Sequence, residues 1–134
     1  MLPQDQIAEQ LKKAIQILPN SVFKVRLLDE RNGIITFHEG AIAKQFNITT
    51  ENVQEQSLDK IFAPSIYAFL QPYIKQVYNG YAVNFEMPFL NRHFLIYAQP
   101  FSKKDQMQNS QYVDIAGYIT EVTDKKRDSD RIKV

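Results

Sequence analysis

Between residues 33 and 62 the sequence runs GIITFHEGAIAKQFNITTENVQEQSLDKIF, and no other stretch limits the fold as much. A β-branched, aromatic run at 34–37 meets Glu39-Gly40 and passes into residues 41–46, which are helical in composition. A polar break follows at 47–50, then a second short helical segment that ends at Ile61-Phe62. Helices this short do not persist without tertiary packing, so they must be laid on something larger. Three long strands come later in the chain. One strand feeding several short helices, with three strands after them, suits neither an enzyme barrel nor a doubly wound sheet.

The flanks follow two different periods. In 5–18, Ile7, Leu11, Ile15 and Leu18 fall at i, i+4, i+8 and i+11, an amphipathic helix that Pro19-Asn20 ends. Such a stripe packs either on its own domain or on a twin, because periodicity reports burial and not the partner. Residues 21–28 alternate, with Phe23, Val25 and Leu27 on one face and Lys24 and Arg26 on the other. The polar turn 29–33 ends in Asn-Gly and makes a hairpin with a returning strand at 34–38. Thr49 or Thr50, and then Ser57, stand where the following turns need caps.

A helical stripe occupies 63–80, formed by Ile66, Phe69, Leu70, Tyr73, Ile74, Val77 and Tyr78. Pro72 lies inside it and predicts a break near Leu70-Gln71, with continuous helix only from Gln71 to a stop at Asn79-Gly80. The period then changes to 2. Val83, Phe85 and Met87 share one face of a strand over 81–89, with Asn84 and Glu86 opposite and Pro88 suited to an edge. A tight turn at Asn91-Arg92 leads into a strand over 93–101 that is apolar on both faces at 94–98 and so is covered on both sides. The N-terminal helix or a partner subunit would supply the second cover. A polar loop at 102–111 precedes the last strand, 112–123, and the remaining residues are charged without an apolar stripe.

The 134 residues fit a single domain able to bury its own core. A net charge of +1, with Lys and Arg scattered among acidic residues, speaks against nucleic acid and against an anionic membrane surface. The absence of cysteine excludes a disulfide scaffold, a thiolate metal site and a cysteine nucleophile. No apolar run is long enough to span a bilayer, so direct membrane insertion is not expected.

Two strands, a string of helices and three strands, entered from a helix, form an order that resembles the PAS family of sensory domains. More narrowly, the chain is similar to the bacterial type found ahead of histidine kinase and diguanylate cyclase modules. The matching residues are Phe37 with Glu39-Gly40, Ser57-Leu58 with Ile61-Phe62, Gly80, Pro100 and Gly117, and Glu121-Val122-Thr123 with Asp124 and Lys125-Lys126-Arg127. The resemblance implies an α+β fold whose five-stranded antiparallel sheet has the order 2-1-5-4-3, with helices on one face. It divides the chain into an amphipathic helix at 1–19, a PAS domain at 20–124 and a charged linker at 125–134. The first strand would pair with the last and bring Val25 near Ile119. Asn47 and Glu55 stand where the family commonly has glycine. Asn tolerates the left-handed conformation, whereas Glu55 predicts a different loop there.

The same resemblance implies a cytoplasmic sensor, free or as the cytosolic part of a membrane-bound receptor, rather than an enzyme. Its signal would leave through Glu121, Val122, Thr123 and Asp124 to an output domain, a histidine kinase or diguanylate cyclase. A homodimer would form through Ile7, Leu11, Ile15 and Leu18, together with Leu95 and Tyr97 on the outer face of the sheet. A ligand-free dimerisation domain is the alternative, and a small cavity enzyme using Asp114 and a tyrosine is the alternative of another class.

No flavin, haem or metal is expected as cofactor. Flavin photosensors of the LOV type need a cysteine, and haem sensors place a histidine on the long helix, where 65–79 has none. His38 and His93 are isolated and read as surface or edge residues. Phe37, Phe46, Phe62, Phe69, Tyr73, Phe85 and Ile96 are the residues expected to meet between helices and sheet. Close packing predicts a solid or nearly solid core there. The other reading is a cavity for an unidentified small molecule, with Tyr73 as its polar handle.

Overall fold

A computed structural model describes residues 4–101 and 112–122. The order of elements is α1 (Gln4–Gln16), β1 (Ser21–Leu27), β2 (Gly33–Gly40), α2 (Ala41–Gln45), α3 (Leu58–Ile61), α4 (Pro64–Tyr78), β3 (Val83–Phe89), β4 (Arg92–Pro100) and β5 (Val113–Glu121). The strands form one antiparallel sheet in the order β2-β1-β5-β4-β3, as the resemblance implied. The last strand is therefore the central one. Its register on β1 sets Val25 opposite Ile115 and Ser21 opposite Ile119, four residues from the expected pairing of Val25.

Alternation puts Phe23, Val25, Leu27, Val83, Phe85, Ile96, Ala98, Val113 and Ile115 into one buried cluster with Ile74 and Val77 of α4. Pro88 sits on the edge strand β3, where its missing N–H removes no central ladder bond. The other edge, β2, is covered by the chain itself. Thr50 exchanges bonds with the His38 backbone, and Ile34 bridges Ser57. Covering an edge this way removes a template for pairing with other chains.

Helix α4 does not break at Pro72. It runs unbroken from Pro64, which takes the first helical position, to Tyr78. Pro72 and Ala68 are both exposed, so the carbonyl that loses its i+4 donor faces water, while Ile74 and Val77 hold the buried side. The β3–β4 hairpin turns one residue earlier than expected. Leu90 (φ 53°) and Asn91 (φ 62°) are its two central residues, both left-handed as a two-residue type I′ turn requires. Asn47 (φ 56°) and Glu55 (φ 60°) are left-handed too, so the loop at Glu55 keeps the conformation that glycine favours instead of departing from it.

Candidate functional site

Strand β2 contains a β-bulge that decides what faces the helices. Lys24 pairs with Phe37 but Val25 pairs with Ile35, so Thr36 has no residue opposite it. Its Oγ1 instead donates to the Lys24 carbonyl at 3.2 Å. The extra residue reverses the alternation beyond it. His38, opposite Phe23, turns inward, and Phe37 stands opposite Lys24 on the outer side.

His38 is therefore not a surface histidine: it is only 2% exposed. Nδ1 lies 2.8 Å from the Ile48 carbonyl and Nε2 lies 2.9 Å from Ser21 Oγ. A carbonyl only accepts, so Nδ1 carries the proton and Nε2 accepts from the Ser21 hydroxyl. Burial lowers the pKa of the ring, opposed by the bond to Ile48 and the charge of Glu39. His38 thus ties the start of β1 to the loop after α2 as a neutral group. His93 is exposed on β4, and no metal cluster occurs among the described residues.

Between the sheet and the helices lies a cavity of about 290 Å³, where a solid core was expected. Phe46, Phe62, Tyr73, Phe85 and Ile96 line it, five of the seven residues expected to meet. Phe37 is turned away by the bulge. Phe69 stands outside the wall, 37% exposed, although its ring reaches those of Tyr73 and Phe85 at 5.9 and 6.2 Å. The lining also includes Phe23, His38, Ile42, Ile48, Leu58, Ile61, Ile66, Leu70, Phe89, Phe94 and Ile119, which periodicity did not single out as a wall. Every one of them is apolar except His38, and its ring nitrogens are already engaged.

Two aromatic groups belong to the cavity wall. In one, Tyr73 of α4 stacks on Phe85 of β3, with ring centroids 3.7 Å apart and planes 6° from parallel. In the other, Phe46 meets Phe89 and Phe94 edge-on at 5.5 and 5.7 Å. Arg92 packs on this second group, its guanidinium 5.3 Å from the Phe46 ring and 5.0 Å from that of Phe94. The same guanidinium donates to both oxygens of Glu121 at 2.9 and 2.7 Å and to Gln45 Oε1 at 3.0 Å. The bond to Glu121 raises the pKa of Arg92 further above its ordinary value. Glu121 closes β5, and Val122 next to it donates its N–H to the His93 carbonyl at 2.9 Å. Thr123 and Asp124 lie outside the described residues.

On the opposite face Arg26 donates to Asp114 at 2.9 and 3.3 Å, so that carboxylate is engaged away from the cavity. Tyr97 stacks on Tyr118 at 5.4 Å, and Leu95 and Tyr97 are half-buried. Helix α1 meets the sheet mainly at β1 and β2, where Lys12 reaches Glu39 at 3.6 Å. The expected stripe is not consumed by that contact: within α1 Leu11 is 60% exposed and Ile15 half-buried, Leu18 just past its end is exposed, and the Ile7 side chain lies outside the described residues.

The arrangement has counterparts among solved structures. A domain of an HTR-like protein from Haloarcula marismortui matches with a TM-score of 0.56 at 16% identity, over 78% of this chain and 99% of that one. The PAS domain of Bordetella pertussis BvgS matches with a TM-score of 0.57 at 14% identity, over 97% and 96%. This chain has the PAS fold. A LOV protein from Rhodobacter sphaeroides matches at a TM-score of 0.53 and 11% identity, over 91% of this chain and 69% of that one. No protein-family model and no curated protein matches the sequence.

The residues of this chain do not fit the flavin or the haem weighed from its sequence. The chain has no cysteine for a flavin adduct, and the cavity wall offers no amide or charged side chain for the polar edge of a flavin. Helix α4 carries no histidine for a haem iron. Among the described residues, no helix is long and apolar enough to cross a membrane.

Proposed function

We propose that this PAS domain is a sensory input module that passes the state of its cavity to an output domain of the histidine kinase or diguanylate cyclase kind. The observation that carries the reading is the 290 Å³ cavity against a sheet whose central strand is also the last. Ile115 and Ile119 of β5 belong to the cavity wall, and β5 ends at Glu121, the first residue of the expected exit Glu121, Val122, Thr123 and Asp124. Arg92 adds a second path from wall to exit, since one guanidinium holds Glu121, Gln45 and the Phe46 ring. Residues 125–134 then serve as the linker, and the module works in the cytosol.

The test is made in the full-length protein. Ile96→Phe places an aromatic ring in the cavity and should change output activity while the domain keeps its melting temperature. Unchanged output with a filled cavity would sink the sensory reading.

The exposed α1 stripe supports a homodimer as the working unit, with Leu95 and Tyr97 as further contacts. Leu11→Asp should shift sedimentation toward monomer, because a carboxylate in an apolar contact must be desolvated. A dimer that persists in that variant would put the contact elsewhere.

A further inference from the structure

We infer that the cavity selects a neutral, hydrocarbon-like molecule of two fused rings or similar bulk, and rejects carboxylates and phosphates of the same shape. The inference rests on the sensory reading of the cavity and specifies what enters it. Three observations carry it.

The first is the character of the wall. Twenty-six residues line the cavity, and His38 and Tyr73 alone among them have polar side-chain atoms. There is no Arg or Lys in the wall to pair with an anion, and no Asp or Glu to pair with a cation. An ion entering it would lose its hydration without compensation.

The second is the state of His38. Its Nδ1–H is committed to the Ile48 carbonyl and its Nε2 to the Ser21 hydroxyl. The ring offers a ligand its surface and no free hydrogen-bonding atom. Burial holds it neutral, so it supplies no charge either. An anion could recruit it only by breaking a bond that fastens the start of β1 to the loop after α2.

The third is size. A dry cavity of about 150 Å³ lined by Leu, Ile and Phe accepts benzene. At about 290 Å³ this one has nearly twice that room, enough on the same scale for roughly ten to twelve carbon atoms. The rings of Phe23, Phe46, Phe62 and Phe85 present faces and edges suited to a flat aromatic guest.

Calorimetry and thermal melting of this chain with naphthalene and with 1-naphthoate test the inference. The two probes share a ring system and differ by one charge. Naphthalene should bind saturably at one per chain and raise the melting temperature; 1-naphthoate should bind at least about 100-fold more weakly, as an unpaired carboxylate must be desolvated. Ile96→Phe and Ile74→Phe each fill the cavity from a different element, and either one that stays folded should abolish naphthalene binding. Naphthoate binding as tightly as naphthalene would overturn the inference. So would the absence of naphthalene binding, or its persistence in a folded, filled variant. Those outcomes leave the sensory reading standing, because it is judged by output activity in the full-length protein. Conversely, naphthalene binding with output indifferent to Ile96→Phe would remove the sensory reading and keep the ligand class.

Discussion

Within one core, the sheet around Gly117 and the space beneath α4 are packed to opposite extremes. A Cβ added at Gly117 would strike the Tyr97 carbonyl oxygen and come within 2.6 Å of the tip of the Phe23 ring. Between the same sheet and the helices lies a cavity of about 290 Å³. Protein interiors are normally filled evenly, with few voids larger than a water molecule. The cavity is therefore not a sign of loose packing throughout. It lies in the layer between sheet and helices, while the sheet around Gly117 has no room for one added carbon.

Gly117→Val should have the largest effect and test the tight side directly. Backbone oxygen and an aromatic ring both stand in the way, so a loss of about 3 kcal/mol, or failure to fold, is expected in chemical denaturation. A mild variant would mean that strand β5 can shift, and the contrast would weaken.

His38→Leu comes next, because it strands the Ile48 carbonyl and the Ser21 hydroxyl in the interior. It should cost about 1–3 kcal/mol. The parent protein also carries a pH signature. The folded pKa of His38 lies below the unfolded value of 6.5, so in acid the unfolded chain takes up a proton that the folded chain does not. Its contribution is complete above that unfolded value and is lost as pH falls from there toward the lowered folded pKa. Denaturation midpoints across that window should fall for the parent and fall less for His38→Leu; parallel curves would show that another group titrates.

Glu55→Gly should stabilise. A left-handed L-residue costs roughly 1–2 kcal/mol, and glycine gives back part of the gain through its greater freedom when unfolded, leaving about 0.5–1 kcal/mol. A decrease in the thermal midpoint would show that the Glu55 side chain makes a contact that matters. The smallest change is expected at the loose side. Ile74→Phe fills empty space instead of crowding neighbours and should shift stability by less than about 1 kcal/mol in either direction. If it cost as much as Gly117→Val, the two regions would be packed alike after all.

The strands were legible because alternation survives in single side chains: Phe23, Val25 and Leu27, then Val83 and Phe85, fall on the buried face where period 2 puts them. The sheet order came from resemblance, since periodicity carries no information about which strands pair. Other features left no local mark. One extra residue at Thr36 changes no composition, yet it reverses which of Phe37 and His38 points inward. Pro72 reads as a break wherever its exposure is unknown, and Leu90 gives no hint of positive φ. A cavity is a shortage of volume summed over many residues, so no stripe or spacing encodes it. Phe46, Phe62, Tyr73, Phe85 and Ile96 could be named as interior residues, but not the space between them.

The bulge has a genetic consequence. Because Thr36 is the residue without a counterpart on β1, removing its codon would not slide the strand out of phase. Phe37 would still oppose Lys24 and His38 would still oppose Phe23, now across an unbroken ladder. Harm begins at the neighbours: losing Ile35 would put the Thr36 hydroxyl in its buried place opposite Val25, and gaining a residue after Phe37 would turn the buried imidazole outward. A change in the length of this hairpin is thus free at one codon and costly at its neighbours.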